Sequence, residues 1–147
     1  MIQRRQNGGK KILIIVSSDL SHYPSDEDAR VVDSSTLQAL LAMDPKYFSG
    51  VNARWMQQGV PQLSCTYCGE GAVTIVMVAA KALGANRAQL LRYATSADVP
   101  YGDRNRVVGY ASVVFVKGEG NREERFVISS ETQSTLLEMA RNAIAEK

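Results

Sequence analysis

The chain has 147 residues, a formal net charge of +2 and 45% apolar residues, enough for one domain with a real core and ordinary for a globular protein. Seventeen basic residues face fifteen acidic ones without forming a basic stripe, which argues against nucleic acid as a partner, and no stretch approaches the roughly 18 apolar residues of a membrane span. Two cysteines are too few for a disulfide framework, so a cytoplasmic, reducing setting is expected.

The basic pairs Arg4-Arg5 and Lys10-Lys11 surround Asn7-Gly8-Gly9, and residues 1–10 read as a solvated leader. Lys11 to Ser17 reads as a buried strand: short, β-branched and apolar on both faces. The polar loop "SSDLSHY" follows, Ser17 to Tyr23, with the chain's single histidine, His22. Pro24-Ser25 opens a helix, with Ser25 as N-cap, Asp28 at the capping-box position and Asp26 and Glu27 at the positive end of the helix dipole. Ala29, Val32, Thr36, Ala39, Leu40 and Met43 share one face at helical spacing, and Pro45 stops the helix near Ala42.

A short helix is predicted within residues 46–58, with Tyr47, Phe48, Val51 and Trp55. After the turn-rich "GVPQLSCTYCGEG", one buried helix is expected from about Gly69 to Leu83, ended by Gly84. Leu90 to Thr95 and Val107 to Val116 read as strands, with "SADVPYGDRN" as the loop between them. Residues 118–128 form a charged linker, and residues 129–147 carry a capping box (Ser130, Gln133) and an amphipathic stripe through Leu136, Leu137, Met139 and Ile144. This tail is expected to be separable. The whole is an α/β chain, a layered sheet flanked by helices, with ligands expected beyond the carboxyl ends of strands.

"SSDLSHY" occupies such a strand end. His22 reads either as a loop histidine bonded to a neighbour or as a proton shuttle or metal ligand. Asp19 either caps a turn or orients the imidazole. Cys65 and Cys68 are spaced C-x-x-C, yet the chain has no second pair to complete a zinc site. Cys68, just before Gly69 and a helix start, is placed to form a stabilised thiolate, and thiolates ligate soft or borderline metals; the alternative is a small buried cysteine. Tyr93, Tyr101, Tyr110 and Trp55 read as packing residues.

Three stretches, "SSDLSHYPSDEDARVVDSSTLQALLAMD", "CGEGAVTIVMVAAKALGA" and "LLRYATSADVPYGDRNRVVGYASVVF", resemble in order the closing half of the Memo family, called AmmeMemoRadiSam system protein B in prokaryotes. The tail "FVISSETQSTLLEMARNAIAEK" resembles the opening helix of AmmeMemoRadiSam system protein A. The resemblance implies a fold like the extradiol (class III type) ring-cleaving dioxygenases and a pocket in which two histidines and a cysteine surround iron or copper. Cys68 matches the cysteine ligand. His22 matches the acid/base residue and Asp19 its acidic neighbour; in a dioxygenase-like site the loop Ser96 to Asp98 would form the substrate rim. The two ligand histidines belong to the family's first half and have no counterpart here, so residues 11–117 read as an incomplete domain: a truncated gene, a split protein or the middle of a fusion. With Cys68 as the one assignable ligand, weak metal binding is expected. Three functions remain in view: the C-terminal portion of a metal-dependent dioxygenase-like protein acting on an unknown small molecule, with the AmmeMemoRadiSam proteins as partners; a non-enzymatic module that binds a small molecule or peptide in the same pocket; and a dithiol redox protein using Cys65 and Cys68.

Overall fold

The computed structural model describes residues 13–118. They form three helices, α1 (Asp26–Leu41), α2 (Pro45–Gln58) and α3 (Glu70–Ala82), and two strands, β1 (Arg87–Thr95) and β2 (Gly109–Val116). The strands pair antiparallel from Arg87 opposite Val116 to Thr95 opposite Gly109, with an irregularity between Leu90 and Arg92. Helix α1 packs on both strands, α3 packs on β2, and α2 packs on both other helices. The leader, and the tail beyond Gly118, lie outside the described residues.

Helix α1 starts where its capping box predicts. Ser25 Oγ accepts from the Asp28 N–H at 3.2 Å and donates to Asp28 Oδ2 at 2.7 Å, so the cap and the third helical residue satisfy each other. Its buried stripe carries Ala29, Val32, Thr36, Leu37, Ala39 and Leu40, and also Asp33. Helix α2 follows at once because Asp44 Oδ1 accepts from the Lys46 and Tyr47 N–H groups at 2.9 and 3.1 Å, and Pro45 fits the first turn. Gly84, at φ 95°, ends α3 in the left-handed conformation its position suggested. The core gathers Leu20, Leu37, Leu40, Phe48, Val51, Tyr67, Val73 and Met77, with Leu90, Tyr93, Val113 and Phe115 packed against it.

Three expectations change. The strand read at Lys11 to Ser17 joins no ladder over its described part; Leu13 is 70% and Ile15 67% exposed while Ile14 and Val16 are half-buried. Such two-residue alternation belongs to a segment that lays one face on the core and leaves the other open, because no described strand lies beside it. Nor is α3 buried all round: Val73 and Met77 face the core, whereas Ile75 and Val78 are exposed. The sheet is correspondingly smaller than the layered sheet read from the sequence, two strands among the described residues. No described helix is long and apolar enough to cross a membrane.

Candidate metal centre

The polar loop after Val16 is held in the middle of a hydrogen-bonded sandwich. On one side the Leu20 N–H donates to the Gly109 carbonyl at 2.8 Å, the Gly109 N–H to the Ser21 carbonyl at 2.9 Å and the Tyr23 N–H to the Val107 carbonyl at 2.7 Å. On the other side the His22 N–H donates to the Cys65 carbonyl at 3.0 Å, the Ser64 N–H to the His22 carbonyl at 3.0 Å and the Cys68 N–H to the Asp19 carbonyl at 3.4 Å. His22 thus bridges Cys65 and Val108. Tyr23 takes a left-handed φ of 76° immediately after it, a conformation that costs free energy for a non-glycine residue.

This sandwich brings three donors of different chemistry together. One ligand atom each from Asp19, His22 and Cys68 lies within 4.8 Å of the others. His22 Nε2 is shielded from water, has no hydrogen-bond partner among the described residues, and stands 3.5 Å from Asp19 Oδ2. An unpartnered, shielded imidazole nitrogen is costly unless another group, such as a metal ion, meets it. Bonds of about 2.0–2.3 Å at tetrahedral angles need ligand atoms roughly 3.3–3.8 Å apart, closer than the 4.8 Å limit within which these atoms lie. Sulfur, imidazole and carboxylate together suit a borderline transition metal.

Cys68 is exposed, which removes the reading of a small buried cysteine. Its Sγ accepts from the Asp19 N–H at 3.3 Å and sits 3.8 Å from Ser18 Oγ, so the sulfur is held at a fixed place beside the loop. Gly69 makes this approach possible. Its N–H donates to Ser18 Oγ at 3.0 Å, and a Cβ there would meet Ser18 Cβ and Oγ at 2.9 Å. Cys65 is half-buried and burial pushes its thiol up, with the neighbouring Cys68 adding to the effect. The two cysteines therefore stand in different surroundings, and Cys65 serves the site through its backbone carbonyl.

The rim residues have other partners. Ser96 Oγ accepts from the Val108 N–H at 3.1 Å, which places Ser96 one chain over from His22. Asp98 accepts from the Thr95 N–H at 2.8 Å and from Arg30 at 2.7 Å; these bonds, the Thr95 N–H first, hold its carboxyl below the usual range. Arg30 and Arg104 also reach the buried Asp26, whose carboxyl is held down chiefly by the Thr95 hydroxyl. Asp98 is thus committed to a network that ties the loop after β1 to the start of α1.

Beside the cluster lies an apolar cavity of about 80 Å³, lined by Val16, Leu20, Leu40, Phe48, Tyr67 and Phe115, with Ser18 as a polar wall.

Sequence reasoning passed over Asp33, although its carboxyl is fully buried behind the loop. One oxygen accepts from the Ser21 N–H at 2.9 Å and the other from the Tyr93 hydroxyl at 2.8 Å. Its signal was present: an acidic side chain interrupting the apolar stripe of α1.

The family described as Memo-like protein matches this chain over residues 2–114. This chain belongs to the Memo family. It is 41% identical over 107 residues to a MEMO1 family protein of Archaeoglobus fulgidus, covering 73% of this chain and 37% of that protein. It is 40% identical over 106 residues to one of Methanosarcina mazei, covering 72% and 36%, and 38% identical over 105 residues to one of Methanocaldococcus jannaschii, covering 71% and 33%. The chain therefore spans about a third of the length of these Memo relatives. No solved structure is significantly similar to it.

Proposed function

We propose that residues 11–117 are the C-terminal part of a Memo-type, dioxygenase-like domain, system protein B of the AmmeMemoRadiSam set, and that they supply one wall of a metal-dependent active site for a small-molecule substrate. The observation that carries this reading is the convergence of Asp19, His22 and Cys68 within 4.8 Å. Cys68 serves as the metal ligand from this chain. The Asp19–His22 pair, 3.5 Å apart, moves a proton: His22 Nε2 takes or gives it, and Asp19 stabilises the imidazolium that results. Iron or copper held there supplies Lewis acidity and a one-electron couple. The sequence holds one histidine, so the two histidine ligands expected of the family site come from outside it, and its metal binding by itself is weak and exchangeable.

The substrate's apolar part fits the cavity walled by Ser18 and lined by Leu20 and Phe48. That cavity also favours a second reading, a binding module that holds the same kind of molecule without turnover.

Cobalt(II) titration, read by the thiolate-to-metal absorption band, tests the assignment in the chain alone and after co-expression with a Memo-type segment carrying two histidines. Cys68→Ser abolishes the band, His22→Ala keeps it, and co-expression tightens binding. A band that survives Cys68→Ser overturns the ligand assignment, and absence of metal in the complemented protein favours the binding module.

A further inference from the structure

Two of the cluster's three residues sit on an extended loop segment that is held by backbone hydrogen bonds on both sides and, from beneath, by one side chain of α1. Asp19 and His22 flank Leu20 and Ser21, and Ser21 is the residue whose N–H donates to the buried Asp33 at 2.9 Å. Asp33 comes from the inner face of α1 and is 0% exposed. Its other oxygen accepts from the Tyr93 hydroxyl, delivered by β1. Gly109, the first residue of β2, lies so close that a Cβ there would overlap the carboxylate, with Asp33 Cγ 2.8 Å away. The Leu20 N–H and the Ser21 carbonyl bond to Gly109 itself. One side chain therefore ties the loop to α1, β1 and the start of β2.

Simple stability is a poor explanation for a carboxylate in this place. It has no ion-pair partner among the described residues, and burying a carboxyl group without a cation is costly. A leucine in the apolar stripe of α1 would avoid the cost of a buried charge but would leave the Ser21 N–H and the Tyr93 hydroxyl without an acceptor. What a carboxylate does here that leucine cannot is accept two hydrogen bonds at a fixed angle, from a backbone N–H and a phenol. The bond to Ser21 fixes the peptide between Leu20 and Ser21, and with it the directions of the side chains on either side. Ligand orientation by such outer hydrogen bonds is a general property of metal centres.

We propose that Asp33, held by Tyr93, is the positioning residue of the Asp19–His22–Cys68 site, fixing the Ser21 backbone so that the Asp19 N–H meets the Cys68 sulfur and the His22 imidazole faces Asp19. The proposal rests on reading these three residues as one site, and adds the residues that set its geometry.

The test reads the site without metal. The full 147-residue chain carrying Cys65→Ser is alkylated at Cys68 in the presence of chelator, near neutral pH, with peptide mapping to follow the label. Asp33→Ala slows this alkylation severalfold, because the loop is released and the Asp19 N–H no longer meets the Cys68 sulfur. Tyr93→Phe slows it in the same direction by a smaller factor. Asp33→Asn, which still offers an oxygen to the Ser21 N–H, restores most of the rate. Val51→Ala, a core truncation in α2, serves as the control; it lowers the melting temperature and leaves the rate unchanged. Equal slowing by Val51→Ala and Tyr93→Phe at matched melting temperatures would make Asp33 merely structural. Unchanged rates in folded Tyr93→Phe and Asp33→Ala would overturn the proposal outright. If Asp33→Ala does not fold, Tyr93→Phe against Val51→Ala decides alone. Failure of cobalt to bind the parent chain would fall on the metal assignment and leave these rates interpretable.

Discussion

The backbone N–H of Asp19 points at the Sγ of Cys68 from 3.3 Å, although the two residues are 49 positions apart. The Cys68 N–H returns a bond to the Asp19 carbonyl, so the two peptides clasp each other and the sulfur gains a fixed donor. Cys65 has no such environment; burial holds its thiol up. Cys68 is therefore expected to be alkylated several times faster than Cys65 near neutral pH, since Cys68 is exposed to the reagent whereas Cys65 is half-buried with its thiol held up. Comparing Cys65→Ser with Cys68→Ser measures this, and faster labelling of Cys65 contradicts it.

Gly69→Ala tests how tightly the clasp is closed. The added methyl meets the Ser18 side chain at 2.9 Å, and Ser18 is held by its bonds to the Gly69 N–H and the Asp19 carbonyl. Overpacking of this kind costs about 1–3 kcal/mol. Urea denaturation gives the stability loss, and Ser18→Gly in the same chain is expected to recover part of it by removing the obstructing atoms. Absence of recovery would place the strain elsewhere.

The buried Asp33 makes a pH-dependent contribution whose sign is fixed. Burial raises its carboxyl above the ordinary value, against the opposing bonds from Tyr93 and Ser21. A group whose folded pKa is raised contributes stability below its unfolded pKa, near 4, and loses that contribution as pH rises through the folded value. The amide introduced by Asp33→Asn does not titrate. The melting temperature of Asp33→Asn relative to the parent is therefore expected to increase as pH rises from about 4 towards 7. A difference that is flat with pH, or falls, would show that the carboxyl is not destabilised by burial.

Asp26 has the opposite sign. The Thr95 hydroxyl and Arg30 hold its carboxyl down, and they outweigh the opposing effect of burial. Its contribution is present above the unfolded pKa, near 4, and is lost as pH falls through the lowered folded value. Asp26→Asn should consequently cost most near neutral pH and least in acid, by melting temperature. A cost that grows on acidification contradicts this.

Phe48 and Tyr67 join α2 to the segment that carries the cysteines. Their rings stack with centroids 4.3 Å apart, and the Tyr67 hydroxyl donates to the Phe48 carbonyl at 2.8 Å. Burial first, and then the charge of Glu70, push the Tyr67 hydroxyl up to about 12. Tyr67→Phe is expected to cost about 1 kcal/mol, the net worth of one hydrogen bond, and Phe48→Ala about 3–5 kcal/mol through lost packing. Chemical denaturation ranks the two, and a reversed order would mean that the hydrogen bond outweighs the stack.

The helices were legible because their signals are local. Ser25 and Asp28 close a cap within one turn, Pro45 limits α1 and enters α2, and Gly84 ends α3, so a few adjacent residues determined each boundary. The apolar stripe from Ala29 to Leu40 likewise named the inner face of α1 before any partner was known. The resemblance of "SSDLSH" and "CGEG" to one family singled out Asp19, His22 and Cys68, and the fold brings ligand atoms of all three within 4.8 Å of one another. Tertiary structure decided what depends on distant neighbours. Val16 and Ile15 are equally apolar, yet Val16 packs on the core and Ile15 lies open, because one side of that segment has a described neighbour and the other has none. Asp33 looks like an error in its stripe until Tyr93 and Ser21, 60 and 12 positions away, supply the donors that make its burial tolerable. A hydrogen bond has direction and short range, so no periodicity in the chain announces which distant N–H or hydroxyl will meet a given carboxylate.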